Sequence, residues 1–235
     1  MLKKALIIAL LTPTASMAGD ALDDFKAELQ AQFDEVSQDV IGSMSHKTLI
    51  PAEPLGIIGF DFGVSFNKAS LNSPLKDETY SGLSALDSIG LHANKGLPLG
   101  IDLGVNYAKS ALLSTLNGTL SYALIEGGIA APAVSIKGSY TTSVDSEFVD
   151  FTSYGADIGI SKGFAMITPF ASVGMVNGEV KTVDGAIAGF NDSYSESTLR
   201  YAVGANINIF IGDLLLAYNQ VGEVGNMTAK LGFRF

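Results

Sequence analysis

Residues 59–67 alternate without a break between large apolar side chains and small or polar ones, in the order GFDFGVSFN. Successive side chains of a β-strand point to opposite faces, so Phe60, Phe62, Val64 and Phe66 share one face. Similar alternation recurs at residues 100–105 and 155–160 and, more loosely, at 204–209. A strand with one apolar face and one small, polar face, used repeatedly, indicates a transmembrane β-barrel with a wet lumen.

The composition favours strands over helices as the spanning elements. The 235 residues are 47% hydrophobic and only 16% charged. Beyond the first dozen residues, however, no apolar run approaches the roughly 18 residues that a spanning helix needs. The chain has no cysteine, which excludes disulfides and thiolate metal sites. We expect no metal and no other cofactor.

The first 18 residues are typical of a secretory signal peptide. Lys3 and Lys4 supply a positive end, a short apolar core follows, and Ser16-Met17-Ala18 forms a small-x-small cleavage site. Cleavage removes two of the 14 basic residues and none of the 24 acidic ones. The remaining acidic balance argues against nucleic acid as a partner.

The segment 19–55 is predicted to form an amphipathic helix and a linker. Apolar residues recur at spacings of three and four between Asp20 and Ile41, and the opposite face is acidic. Pro51 and Pro54 indicate an extended linker, because neither residue continues a helix. We expect the helix to lead in from the periplasmic side, either entering the barrel as a plug or lying beneath its mouth.

Residues 56–235 are predicted to form an antiparallel, up-and-down transmembrane barrel of ten strands. The predicted strands span residues 56–67, 86–95, 100–110, 117–126, 132–143, 151–162, 166–177, 197–209, 213–221 and 226–235. Short connections alternate with longer ones, such as 68–85 and 178–196, as expected for periplasmic turns and external loops.

Aromatic residues on the predicted outward faces fall near the two ends of the strands. Five tyrosines lie toward the long loops, and a second group of aromatic residues lies toward the short turns. Aromatic girdles at both membrane interfaces are expected from this distribution. The first group is Tyr107, Tyr140, Tyr154, Tyr201 and Tyr218; the second is Phe164, Phe210, Phe233 and Phe235.

The last nine residues alternate apolar and polar side chains and end on Phe233 and Phe235. They resemble the C-terminal strand of Gram-negative outer-membrane β-barrel proteins, whose final aromatic residue is part of the signal that the barrel-assembly machinery reads. The resemblance implies an outer-membrane location after signal cleavage. It also implies contacts with outer-membrane lipid and lipopolysaccharide, and with the assembly machinery and periplasmic chaperones during biogenesis. Residues 50–61 are similar to a group of uncharacterised proteobacterial barrels with an N-terminal helix, which implies no activity.

Ten polar or charged residues are predicted to face the lumen. Two opposite-charge pairs are expected across neighbouring strands, Lys137 with Asp157 and Asp61 with Lys230. Such pairs either neutralise one another in a narrow lumen or form a polar track for a solute. The ten candidates are Asp61, His92, Asp102, Asn106, Lys137, Asp157, Arg200, Asn206, Lys230 and Arg234.

The two histidines do not match the catalytic arrangements of known outer-membrane enzymes. His46 falls in the linker, and His92 falls near the periplasmic end of its strand, where we expect a hydrogen-bonding role in the lumen. We therefore predict no enzymatic activity. A narrow or helix-plugged channel for small solutes is favoured, and a closed structural or interaction barrel acting through its external loops is the alternative.

Overall fold

The computed structural model describes residues 19–77, 79–80, 83–144, 146, 149–183 and 192–235. The predicted signal peptide lies outside the described residues. The one described helix, α1, spans Gly19–Met44. Among the described residues, no helix is both long enough and apolar enough to cross a membrane.

Within the described residues, twelve strands follow the helix, and ten of them are long. Short 3-10 turns occupy Pro74–Asp77 and Pro98–Gly100. The strands are β1 Phe60–Ser70, β2 Thr79–Tyr80, β3 Leu83–Ser84, β4 Ser88–Leu97, β5 Ile101–Lys109, β6 Ser114–Ile125, β7 Ala133–Val144, β8 Val149–Ser161, β9 Ile167–Thr182, β10 Ser193–Ile209, β11 Gly212–Val221 and β12 Val224–Arg234.

The ten long strands close into one antiparallel barrel, while β2 and β3 pair separately. Closure joins β1 to β12, with Asp61 opposite Arg234 and Ser70 opposite Gly225. Two backbone hydrogen bonds between Phe60 and Phe235, of 2.7 and 3.0 Å, complete the seam. The predicted fold is therefore confirmed, because all ten predicted strands have a counterpart in the barrel.

The barrel has two distinct ends. At the short-turn end lie residues 98–100, 126–132, 162–166 and 210–211, together with the start of β1 and the end of β12. At the long-loop end lie the 71–87 loop, the β9–β10 connection and three short connections. Strands β9 and β10 run further than predicted, which shortens their connection from the predicted 178–196 to residues 183–192.

Large apolar side chains cover the outside of the barrel. Val105, Leu120, Val173 and Leu231, for example, are 48 to 62% exposed although they lie in the middle of their strands. A continuous apolar exterior of this kind is unfavourable in water and suits contact with lipid. The alternate residues of the same strands point inward and are mostly small or polar.

The chain runs through the inside of the barrel from one end to the other. Every residue from Asp39 to Ala52 is buried. The C-terminal part of α1 packs at the long-loop end, and the linker then descends to the short-turn end. We call residues 33–55 the lumen segment. The expectation that the helix leads in from the periplasmic side is wrong, since the helix lies at the opposite end.

Chain dimensions explain this arrangement. A helix with its side chains is about 10–12 Å wide, whereas an extended chain is narrower, and Pro51 and Pro54 keep the linker extended. Near the short-turn end, the segment inside the lumen is therefore the extended linker and not the helix. The 26 residues of α1 make a rod of about 39 Å. Its last 12 residues, Phe33–Met44, belong to the lumen segment.

Candidate functional site in the barrel lumen

The long-loop end of the lumen is closed by an apolar cluster between the helix and the loops. Phe33, Val40, Ile41 and Met44 of α1 pack there against side chains of the 71–87 loop and of the strand ends. The other members are Leu75, Ala85, Leu86, Leu113, Val149, Phe151 and Val180. This cluster separates the lumen from the surface at the long-loop end.

A buried carboxylate ties the helix to the 71–87 loop. Asp39 is 1% exposed. Its oxygens accept hydrogen bonds from the backbone N–H groups of Asn72, at 3.1 Å, and Ser73, at 2.8 Å. Backbone N–H groups thus stabilise this carboxylate of the helix.

The lumen segment is attached to the wall at several depths by hydrogen bonds. Asn226 Nδ2 donates to the Gly42 carbonyl at 3.1 Å near the long-loop end. In the middle, the Thr48 N–H donates to Asn219 Oδ1 at 3.2 Å. Near the short-turn end, the Leu55 N–H donates to Asp102 Oδ1 at 3.1 Å. Within the described residues, no ion pair joins the lumen segment to the wall.

The wall contains a buried network of charged groups between β1, β11 and β12. Lys230 Nζ lies 2.7 Å from Asp61 Oδ2 and also contacts Asp213. His92 Nε2 lies 2.9 Å from Asp61 Oδ1. Asn206 Nδ2 donates to Asp213 Oδ2 at 2.7 Å. One ammonium group is thus shared by two carboxylates, each of which has a further hydrogen-bond donor.

The ion pair between Asp61 and Lys230 was predicted as a pair across neighbouring strands. The two residues do not lie directly opposite each other in the register of β1 and β12. Lys230 lies opposite Ser65, four residues from Asp61 along β1. The long lysine side chain bridges this offset. Asp213 was not predicted to face the lumen, because it stands at the first position of its predicted strand, at the boundary with the turn. Extending the inward alternation of Leu215, Ala217 and Asn219 by one step would have identified it.

A second charged pair lies on β8 and β10, the two neighbours of β9 in the barrel. Lys137 is opposite Asp157 in the β7–β8 register, as predicted. The ion-pair partner of Asp157 is nevertheless Arg200, whose Nε donates at 2.8 Å. Arg200 also donates to the His46 carbonyl at 3.0 Å and to Ser139 Oγ at 3.3 Å. Arg200 therefore connects a wall carboxylate to the lumen segment.

The remaining predicted site residues occupy separate positions. Asp102, His92 and Asn206 are buried, and Asn106, Lys137 and Arg234 are partly buried. The five tyrosines of the predicted upper girdle are 38 to 60% exposed on the outer face. At the other end, Phe235 packs against Phe60, with ring centroids 5.8 Å apart. The structure shows where these side chains lie; their roles stay predictions.

His46 is a functional candidate that the sequence did not single out. It is 8% exposed and lies inside the barrel. Its Nδ1 lies 3.0 Å from Asn117 Oδ1. Its position in an extended linker gives no sequence periodicity from which a place in the lumen could be read.

The fold and its apolar exterior define the class of this protein: it is an integral β-barrel of the outer-membrane type. No family model matches the chain, and no curated protein matches it.

Among solved structures, the chain is similar to the attachment invasion locus protein Ail of Yersinia pestis, with a TM-score of 0.40 and 15% identity over 75% of this chain and 97% of that one. It is similar to the KdgM porin, with a TM-score of 0.40 and 7% identity over 76% of this chain and 99% of that one. It is also similar to LpxR from Salmonella typhimurium, with a TM-score of 0.39 and 15% identity over 90% of this chain and 96% of that one. Scores this low carry no argument about function, so the class rests on the barrel itself.

Proposed function

We propose that this protein is a narrow outer-membrane channel for small polar solutes that its own N-terminal segment keeps closed at rest. The observation that carries the proposal is the pairing of charges in the lumen. Asp61 and Asp213 pair with Lys230, and Asp157 pairs with Arg200, all within the wall. These ion pairs of the wall therefore form without any side chain of the lumen segment.

The space inside the barrel has the same implication. At the inward position Gly159 the wall carries no side chain, and a Cβ added there would lie 3.7 Å from the Cβ of Ala52, so the linker occupies space that the wall leaves open. Within the described residues, two cavities of about 10 Å³ each border the linker, and one of about 70 Å³ borders the end of the helix. Departure of the linker would open a water-accessible path lined by charges of both signs, which favours polar solutes without strong charge selection.

A closed interaction barrel is the second candidate. The apolar cluster at the long-loop end favours it, because release of the helix would expose Phe33, Val40 and Ile41 to water. Burying side chains of this size contributes roughly 1.5–3 kcal/mol each. In this case the helix and the 71–87 loop would act as a fixed recognition surface. Lipid and lipopolysaccharide are the proposed surroundings of either form, with the assembly machinery and periplasmic chaperones as partners during biogenesis.

Single-channel conductance of the refolded protein tests the proposal. The chain 19–235 is expected to be silent at rest, and a variant lacking residues 19–55 is expected to conduct. A variant lacking only residues 19–32, which retains the lumen segment, is the matched control and should remain silent. Heat-modifiable migration shows that each variant has folded. A silent but folded barrel without residues 19–55 would refute the channel and favour the closed interaction barrel.

A further inference from the structure

The two histidines of the chain line one small cavity between the lumen segment and the wall. Its volume is about 10 Å³, and its lining includes His46, His92, Asn106, Asn117 and Lys137. That volume is enough for a single water-sized group. His46 belongs to the lumen segment, whereas His92 and Asn106 belong to β4 and β5. Any group held in this cavity would join the segment to the barrel.

Hydrogen bonding determines which nitrogen of His46 carries the proton. Asn117 Nδ2 donates to the Tyr140 carbonyl and to Thr141 Oγ1, both at 2.9 Å. The Asn117 side-chain oxygen is therefore the acceptor for His46 Nδ1, at 3.0 Å. His46 Nδ1 must donate, which leaves a free lone pair on Nε2 of the neutral ring.

His92 is oriented in the same way by a carboxylate. Its Nε2 lies 2.9 Å from Asp61 Oδ1 and donates to it. With Nε2 as the donor, a ring that carries one proton keeps its lone pair on Nδ1. Both imidazole rings thus have one nitrogen held by an oxygen of the protein and a second nitrogen available as a ligand.

Three buried acceptors of this cavity have no hydrogen-bond partner within the described part of the chain: His46 Nε2, His92 Nδ1 and Asn106 Oδ1. A buried acceptor without a partner costs roughly 1–3 kcal/mol. Two imidazole nitrogens and an amide oxygen are a ligand set for a late first-row divalent metal ion. The outer partners fit as well, because metal-binding histidines commonly donate their second N–H to a carboxylate or carbonyl oxygen.

We propose that His46 and His92, with Asn106 as a third ligand, bind one Zn²⁺, Ni²⁺ or Cu²⁺ ion that fastens the lumen segment to β4. Among the described residues, no three His, Cys, Asp or Glu side chains are grouped so that they could hold a metal ion. The proposed site therefore has two histidine ligands and an amide oxygen in place of a third ligand of these types. Lys137 opposes the added positive charge, while Asp61 behind His92 offsets it. Binding of the metal ion does not require that the barrel conduct a solute.

Metal titration of the full chain tests the site. The metal-free protein, folded in detergent, is titrated with Ni²⁺ and Zn²⁺ by calorimetry, and one ion per chain is expected. His46→Gln and His92→Gln should each abolish this binding, and Asp61→Asn should weaken it roughly 10–100-fold. Thr168→Ala, a buried lumen substitution outside the cavity lining, is the matched control and should bind as the original chain does.

A spectroscopic measurement keeps the proposal testable if a histidine variant does not fold. The electron paramagnetic resonance spectrum of the Cu²⁺-loaded original chain should show coupling to two imidazole nitrogens. Coordination by oxygen alone, absence of saturable binding, or binding by both histidine variants that equals that of the original chain would each overturn the proposal. Absence of binding would assign the cavity to water and would leave the conductance experiment unaffected.

Discussion

The contact between Gly178 of the wall and Ile41 of the helix gives the sharpest prediction about how the lumen segment is held. A Cβ atom added at Gly178 would lie 2.6 Å from Ile41 Cγ1 and 2.7 Å from Ile41 Cγ2. Ordinary carbon contacts are about 3.5–4.0 Å. Gly178→Ala should therefore weaken docking of the helix by about 1–3 kcal/mol, the usual cost of overpacking.

The effect can be measured by thiol labelling, because the chain has no cysteine of its own. Thr48 is 8% exposed inside the barrel, so a cysteine placed there reacts only when the segment opens. Since about 1.4 kcal/mol corresponds to a tenfold change in an equilibrium, Gly178→Ala should accelerate labelling of the Thr48→Cys chain about 5- to 150-fold. Gly118→Ala is the matched control, because a Cβ at Gly118 meets nothing within 4 Å.

A double variant identifies the clash as the cause. Ile41→Ala alone should also accelerate labelling, since removing a buried isoleucine side chain costs roughly 2–5 kcal/mol. It removes the same atoms that a Cβ at Gly178 would meet, so the two changes together should cost about 1–3 kcal/mol less than their sum. Unchanged labelling in Gly178→Ala, or strict additivity, would refute the reasoning.

Two further outcomes are expected. Val105→Arg should destabilise the barrel by roughly 2–4 kcal/mol on the lipid face; Val105→Leu, which keeps an apolar side chain towards lipid, is the control, and equal effects of the two changes in urea unfolding would contradict the assignment of this face. Deleting Phe235 should reduce the heat-modifiable protein recovered from outer membranes, and unchanged recovery would exclude its role as an assembly signal.

The barrel could be predicted from sequence because its information is local. Alternation such as that of residues 59–67 defines both faces of a strand, and one face must meet lipid. A shift of one residue would place every Phe of that run in the lumen, so the register is strongly determined. The ten strands were found for this reason, and the largest errors in length concern β9 and β10, which have 16 and 17 residues.

The interior was harder to predict because its contacts join residues far apart in the chain. Lys230 reaches Asp61 across an offset of four residues, and Arg200 competes successfully with Lys137 for Asp157. Neither outcome follows from strand order alone, since both depend on barrel stagger and side-chain length. The path of the linker was also hidden, because an extended segment has no periodicity that reports which end it enters.

A disulfide between the linker and the wall tests most directly the proposal that the linker occupies the lumen and keeps the barrel closed. Thr48 Oγ1 and Ser172 Oγ are 3.3 Å apart, so cysteines at these positions are close enough to be bridged. We expect the doubly substituted full chain to form an intramolecular disulfide. The oxidised chain should stay silent in single-channel recordings, and openings should occur only in the reduced form. Failure to form the disulfide in a folded barrel, or equal conductance in both redox states, would contradict it.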